Sequence, residues 1–371
     1  MNFYSESLLY QTMKLILKIL LCLFCVSSFS QDNSFNSYLK EKEKINQISE
    51  ILKNNETSNY LKAINLCSQI KMERNKFKKY DLLSNLYFLT ENNKKAYKYL
   101  KKAYLYGVTK KQASRYVPDM DSIKSSKIYK KYHCKYLSKI DTGLNNILLE
   151  ITLEDYKTRN KSYNLFLYGT KAEKDSVSNI YINLSKKHIN LYDSLIKRNN
   201  NQWIGQNIRG DNKFFKNELI LVHLPIIHSD EKTNELFLDL IIKSCKRGNE
   251  SWETARRIMW NQLFRFYGKH GYNKFKLRRL KFKNNLLDSN SDETLLTAYS
   301  LSIRFKGLSE ITIYPTELWN GKSHKESVGI FKNLLIKFGV EDYRIKISNK
   351  VIETDPKDDV NQNYFFVFSA K

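Results

Sequence analysis

The sequence predicts a multidomain α+β protein with N-terminal helical-hairpin repeats, a mostly helical central region and a C-terminal α/β sandwich. Apolar residues recur at helical spacing over 41–106, with few breakers. Helical and strand-like patterns then alternate over 293–371. The length of 371 residues predicts two or three domains, and 42 % hydrophobic with 13 % aromatic residues excludes wholesale disorder or a low-complexity fibre. The expected segments are a signal at 1–30, a helical-repeat region at 31–117, a mainly helical central domain at 118–289 and an α/β domain at 290–371.

From Met13 the chain has a short basic start, an apolar run from Ile19 to Val26, then small residues, which is the pattern of a secretory signal peptide. Ser28 and Ser30 fit the positions read by signal peptidase, so cleavage after Ser30 and a periplasmic or secreted protein are expected. The apolar run is well under the roughly 20 residues that a bilayer span requires. Cleavage removes Lys14, Lys18 and Glu6, and changes the formal net charge only from +25 to +24. The basic excess is mostly Lys and accompanies abundant Asn, Ile and Tyr, a bias that nucleotide skew also produces. Export argues against DNA or RNA as partner. Cys67, Cys134 and Cys245 remain after cleavage; an odd, widely spaced set is no disulfide framework, and buried free thiols are the expected reading, with one bridge as the alternative.

Within the first helical region, polar turns fall at Asn54-Asn55 and at Glu91-Asn92-Asn93. Between them and Gly107, residues Tyr80, Leu83, Ser84, Tyr87, Ala96, Leu100 and Ala103 occupy the large, small and aromatic positions of a helix-turn-helix unit. This unit resembles a tetratricopeptide repeat. A weaker copy is suggested by Ala63, 33 residues before Ala96. The resemblance implies either a concave docking surface for a peptide or partner, or hairpins that only pack on the next domain; packing is the preferred reading.

The central region carries Pro118-Asp-Met-Asp-Ser-Ile, then Asp155 and Arg159 at helical i,i+4 spacing, and later Ile-Leu-Val-His at 220–223. This succession is similar to a family of secreted bacterial proteins with no assigned activity, which adds architecture and no chemistry. An ion pair is the plain reading of Asp155 and Arg159. His223, His228, Asp230 and Glu231 form the most suggestive polar cluster. Two histidines and an acid can provide a general base or ligate a metal, but Leu224-Pro225 breaks the helix that a His-Glu-x-x-His site needs. The preferred reading is a loop with ordinary hydrogen-bonded histidines. The chain lacks a Gly-x-Ser-x-Gly elbow, a P-loop, a dinucleotide fingerprint and a Cys/His zinc cluster. No cofactor or metal is therefore expected.

Residues 254–287 contain no acid. Arg256, Arg257, Arg265, Lys269, Lys274, Lys276, Arg278, Arg279, Lys281 and Lys283 are interleaved there with Phe264, Phe266, Tyr267, Tyr272, Phe275 and Phe282. Such a stretch can adsorb to anionic lipid or lipopolysaccharide, or form a solvated face whose aromatics point inward.

At the C-terminus, helices are predicted over 293–305 and 326–338 and strands over 310–314, 343–347 and 364–368, with Gly339 stopping the second helix. The run Leu334-Leu335-Ile336-Lys337-Phe338-Gly339-Val340, with Tyr343-Arg344-Ile345, Pro356 and Asn361, resembles the OmpA-like domain. That resemblance implies a peptidoglycan site built on an Asp and an Arg. Here Glu317 is the acid available, Ser327 stands at the Arg position with Lys325 nearby, and Trp319 is either a packed or a carbohydrate-facing ring. The sequence thus suggests an exported docking or tethering protein of the cell envelope without enzymatic activity, binding peptidoglycan or an envelope protein through Glu317, Trp319 and Lys325. The alternative is an exported hydrolase that uses His223, His228 and Asp230.

Overall fold

The computed structural model describes residues 33–108, 110–113, 121–209, 223–269, 275–276, 280–284, 286–305, 310–315, 324–349 and 366–370. Residues 1–30, where the signal is expected, and Pro118, Lys274, Arg278, Arg279, Glu317, Trp319, Pro356 and Asn361 lie outside these residues. The protein is mostly helical, with a few small strands.

The first helices are α1 (Phe35–Lys53), α2 (Tyr60–Ser68), α3 (Lys76–Leu89), α4 (Asn93–Leu105), the single turn α5 (Lys110–Ala113) and α6 (Ser122–Leu137). Ser34 caps α1 by accepting the Ser37 N–H at 3.2 Å, which satisfies one of the free first-turn donors. Asn55 and Glu91, both at positive φ, fall in the turns predicted after the first and third of these helices. The α3–α4 hairpin packs closely because its contact residues are small: the Ser84 hydroxyl donates to the Ala96 carbonyl at 3.0 Å, and Ala96 and Ala103 are buried. Gly107 follows α4 at φ +90°, a conformation that L side chains rarely adopt, and a Cβ there would stand 2.7 Å from the Tyr136 ring and force it to move. The buried carboxylate of Glu41 on α1 accepts the Met72 N–H and the Asn75 side-chain amide, and ties this helix to the approach of α3.

The central helices are α7 (Thr142–Tyr168), α8 (Lys171–Arg198), the single turns α9 (Gln206–Arg209) and α10 (Leu224–Ile227), α11 (Glu231–Lys246) and α12 (Trp252–Lys269). α7 and α8 form a long antiparallel pair, and Thr170 and Glu173 make a reciprocal capping box at the start of α8.

Then come β1 (Phe275–Lys276), β2 (Phe282–Lys283), β3 (Leu286–Leu287), α13 (Asp292–Phe305), β4 (Ile311–Pro315), α14 (His324–Lys337), β5 (Ile345–Ile347) and β6 (Phe366–Ala370). β4 and β5 are parallel and joined through α14, while β6 lies antiparallel between β1 and β4, for a sheet order β1-β6-β4-β5. Gly339, at φ +90°, ends α14 as predicted for a C-cap.

A strand from residues 275–276 therefore enters the C-terminal sheet. The core is likewise continuous across residues 289–290: Phe35, Phe237, Trp252, Leu296, Phe331, Leu335 and Ile345 belong to one buried cluster. Smaller cores lie under α1–α3 and between α4 and α6. Cys67, Cys134 and Cys245 are free thiols. Cys67 and Cys245 are buried as expected; Cys134 is exposed, on a face of α6 away from the core. Among the described residues no helix is long and apolar enough to cross a membrane.

Candidate functional site

Asp155 is the last buried residue of α7, and ionisable side chains from three elements meet there. Its carboxylate, 1 % exposed, receives Arg159 Nε at 3.0 Å on Oδ1 and pairs through Oδ2 with His228 Nδ1 at 2.7 Å. Arg159 Nη2 donates to Ser185 Oγ at 3.1 Å on α8, and that hydroxyl donates to the His228 carbonyl at 3.1 Å. The Arg159 guanidinium also lies 4.5 Å from the centre of the Tyr181 ring. One helical turn thus binds α8 and the residue following α10 to α7.

A second histidine closes the cluster. His188 is fully buried on α8, with Nε2 3.0 Å from Glu154 Oε2 and Nδ1 3.9 Å from Asp155 Oδ1. Lys187 Nζ meets both Glu154 oxygens, at 2.6 and 2.8 Å. Hydrogen bonds from Lys187 and His188 hold the Glu154 carboxyl below its usual range. Burial alone would raise Asp155; the hydrogen bond and charge of His228, then those of Arg159, outweigh it and keep the carboxyl below its ordinary value.

The chemistry available is that of a carboxylate–imidazole pair. A carboxylate on Nδ1 fixes the tautomer and leaves Nε2 as the basic atom. The His228 side chain is 28 % exposed, so a solute can reach the ring. Among the described residues no group of three His, Cys, Asp or Glu side chains could hold a metal ion.

The grouping suggested by sequence adjacency divides among three sites. His228 pairs with Asp155. Asp230 is the N-cap of α11, accepting the Thr233 N–H at 2.9 Å and the Thr233 hydroxyl at 2.7 Å. His223 is buried at the other end of α10 and lines a cavity of about 340 Å³ with Ile227, Arg256, Arg257, Trp260 and Ile303. Glu253 accepts from Arg256 at 2.9 and 2.6 Å and from Arg257 at 3.4 Å, so the two arginines beside this cavity are partly neutralised by their own helix. Burial would raise Glu253, but the hydrogen bond and charge of Arg256, then Lys42 and Arg257, hold it at about 2.

Of the remaining candidates, Lys325 is exposed in the first turn of α14, and Lys281 and Lys283 are exposed around β2. Arg265 and Lys269 lie on α12, and Lys276 on β1. Ser327, at the position where the OmpA-like pattern has Arg, is fully buried, and its hydroxyl accepts the Leu287 N–H at 3.1 Å. It fastens α14 to β3 and faces no solvent.

Glu154, Ser185 and His188 were not singled out by sequence. A signal for His188 exists: on α8 the buried residues Val177, Leu184, His188, Tyr192 and Ile196 form one stripe, in which a histidine replaces an apolar residue. Comparison with known protein families, curated proteins and solved structures gives no match for this chain.

Proposed function

We propose that this protein is an exported docking and tethering protein of the cell envelope, and that its C-terminal layer is a divergent OmpA-like unit. The docking reading rests on the α7–α8 pair, an arm clamped at its root by Asp155, Arg159 and His228, with its far half left uncovered. A rigid arm with apolar residues at its end is suited to holding a partner. The OmpA-like reading is supported by the parallel β4–α14–β5 unit followed by an antiparallel closing strand. Peptidoglycan is then the first wall partner to test, through Glu317, Trp319 and Lys325. The mature chain is expected to pellet with purified sacculi, and a Glu317→Ala, Lys325→Ala variant to pellet several-fold less. Equal pelleting of the two proteins would remove those residues from the argument.

A second reading, hydrolysis by a histidine base, is favoured by one observation: the 2.7 Å Asp155–His228 contact on a partly exposed ring. Its test is turnover of a panel of activated esters. Under this reading His228→Ala abolishes the rate and Asp155→Asn lowers it by about 10²–10⁴-fold. Rates equal to buffer for the unmodified protein would end it.

A further inference from the structure

Beyond Asp155, α7 continues for residues 156–168 without another buried side chain, a rise of about 20 Å at 1.5 Å per residue. The last six residues, 163–168, are all exposed, and five are apolar or aromatic: Tyr163, Leu165, Phe166, Leu167 and Tyr168. Phe166 is 43 % exposed and Tyr168 82 %. Ile180 and Ile182 on α8 are exposed as well. The arm is nonetheless firmly built, with Ser162 donating to the Tyr181 hydroxyl at 3.0 Å, Tyr181 donating to the Arg159 carbonyl at 3.1 Å, and the Phe166 and Tyr181 rings 5.7 Å apart.

The way these residues are distributed selects the occupant. Successive helical residues are about 100° apart, so four consecutive ones, 165–168, sweep about 300° of the circumference. A protein groove covers one stripe of a helix, whereas a bilayer interface accepts apolar groups on every side. Tyrosine is also a side chain that settles at the headgroup level. Charge points the same way. Lys157, Lys161, Lys171 and Lys174 stand along the arm against Glu173 and Asp175, and three of these four lysines are exposed. Their stems can lie along the apolar surface while the ammonium groups reach lipid phosphates.

We infer that the end of the α7–α8 arm inserts into the interface of an anionic phospholipid bilayer. This rests on the docking reading and names its partner. The arm does not cross the membrane; Tyr163 to Tyr168 enter the boundary between headgroups and acyl chains, and the lysines hold the anionic surface above them. The surface is separate from the basic stretch 254–287.

The test is flotation of the full mature chain with vesicles of equal parts phosphatidylglycerol and phosphatidylcholine, and with phosphatidylcholine alone. The unmodified protein is expected to float with the mixed vesicles and about tenfold less with the neutral ones. A Leu165→Asp, Leu167→Asp, Tyr168→Asp variant changes exposed side chains and spares the Phe166–Tyr181 contact, so its thermal midpoint should match the unmodified protein while flotation falls about tenfold. Absence of flotation by the unmodified chain overturns the inference. Undiminished flotation of the triple variant overturns it too, and assigns lipid adsorption to residues 254–287. If the unmodified chain is a dimer that the triple variant dissolves, the arm binds a second copy and the bilayer is again excluded. Pelleting with sacculi without flotation would keep the docking reading and remove the bilayer alone.

Discussion

Glu250→Ala is expected to lower the stability of the folded chain by about 3–5 kcal/mol. The Arg209 and Glu250 side chains are 1 % and 0 % exposed, with Nη2 and Oε2 2.7 Å apart. The same Oε2 accepts the Trp203 indole N–H at 2.8 Å, while Oε1 accepts the Ser251 N–H at 2.8 Å and the Thr254 hydroxyl at 3.2 Å. Arg209 Nε also donates to the Ile204 carbonyl, and the Asn145 side-chain amide donates to the Arg209 carbonyl. The carboxylate therefore joins α9, the start of α12 and the segment that follows α8 through one group. The substitution takes a carboxylate away from a guanidinium that is 1 % exposed and leaves an indole donor unsatisfied. The check is the urea midpoint, with Glu50→Ala as control. The Glu50–Lys53 pair is 60 % exposed on both sides and should be worth at most about 1 kcal/mol. A loss below about 1 kcal/mol would show that Glu250 is not the group on which the buried Arg209 depends.

Acidification between pH 6.5 and 3 is expected to remove up to about 4 kcal/mol through His223 alone. Burial, then the charges of Arg257, Arg209 and Arg256, push its imidazole down to about 3, with Glu253 acting in the opposite sense. An unfolded histidine titrates near 6.5. Between these values the unfolded chain binds a proton that the folded chain refuses, so stability falls as pH falls through this window. The contribution is complete above about 6.5 and exhausted below about 3. Roughly 2 kcal/mol of the loss belongs to the step from pH 6.5 to 5, before carboxylates such as Glu253, held at about 2, begin to titrate. Urea midpoints at pH 7 and pH 5 should separate for the unmodified protein and lie closer together for His223→Gln, with the remainder carried by His133, which burial also lowers. Identical pH slopes for both would sink the assignment.

Local pattern made the helices readable, and the limits of local pattern explain the rest. Tyr80, Ser84, Tyr87, Ala96 and Ala103 disclose the α3–α4 hairpin because both helices and their turn lie within one short window, where size alternation reports packing. The C-terminal helices over 293–305 and 326–338 form as Asp292–Phe305 and His324–Lys337 for the same reason. The polar cluster was not readable in this way. Sequence proximity suggests Asp230 as the acid beside His228, yet the carboxylate that reaches it is Asp155, 73 residues earlier. Asp155 and Arg159 do form the i,i+4 pair that their spacing predicts, but the acid is buried and serves three elements, which no spacing reveals. The basic block illustrates a boundary effect. Counting from Thr254 omits Glu253, the residue that pairs with both Arg256 and Arg257.

The anchoring of α1 also bears on the order in which the chain can close. Phe35 is fully buried, 5.3 Å from the Trp252 ring and 5.8 Å from Tyr299, and its amide N–H meets Asp292 across 257 residues at 2.7 Å. The Trp252 indole donates to the Asn33 carbonyl at 2.8 Å. These contacts lower the energy only after a loop of that size has been closed, so they form late compared with the local hairpins. At about 5–20 residues per second, a chain made from its amino terminus keeps α1 waiting roughly 13–50 s for Asp292 to arrive. During that interval the C-terminal part of the main core is still missing, so the first helix stands without the residues that later bury Phe35.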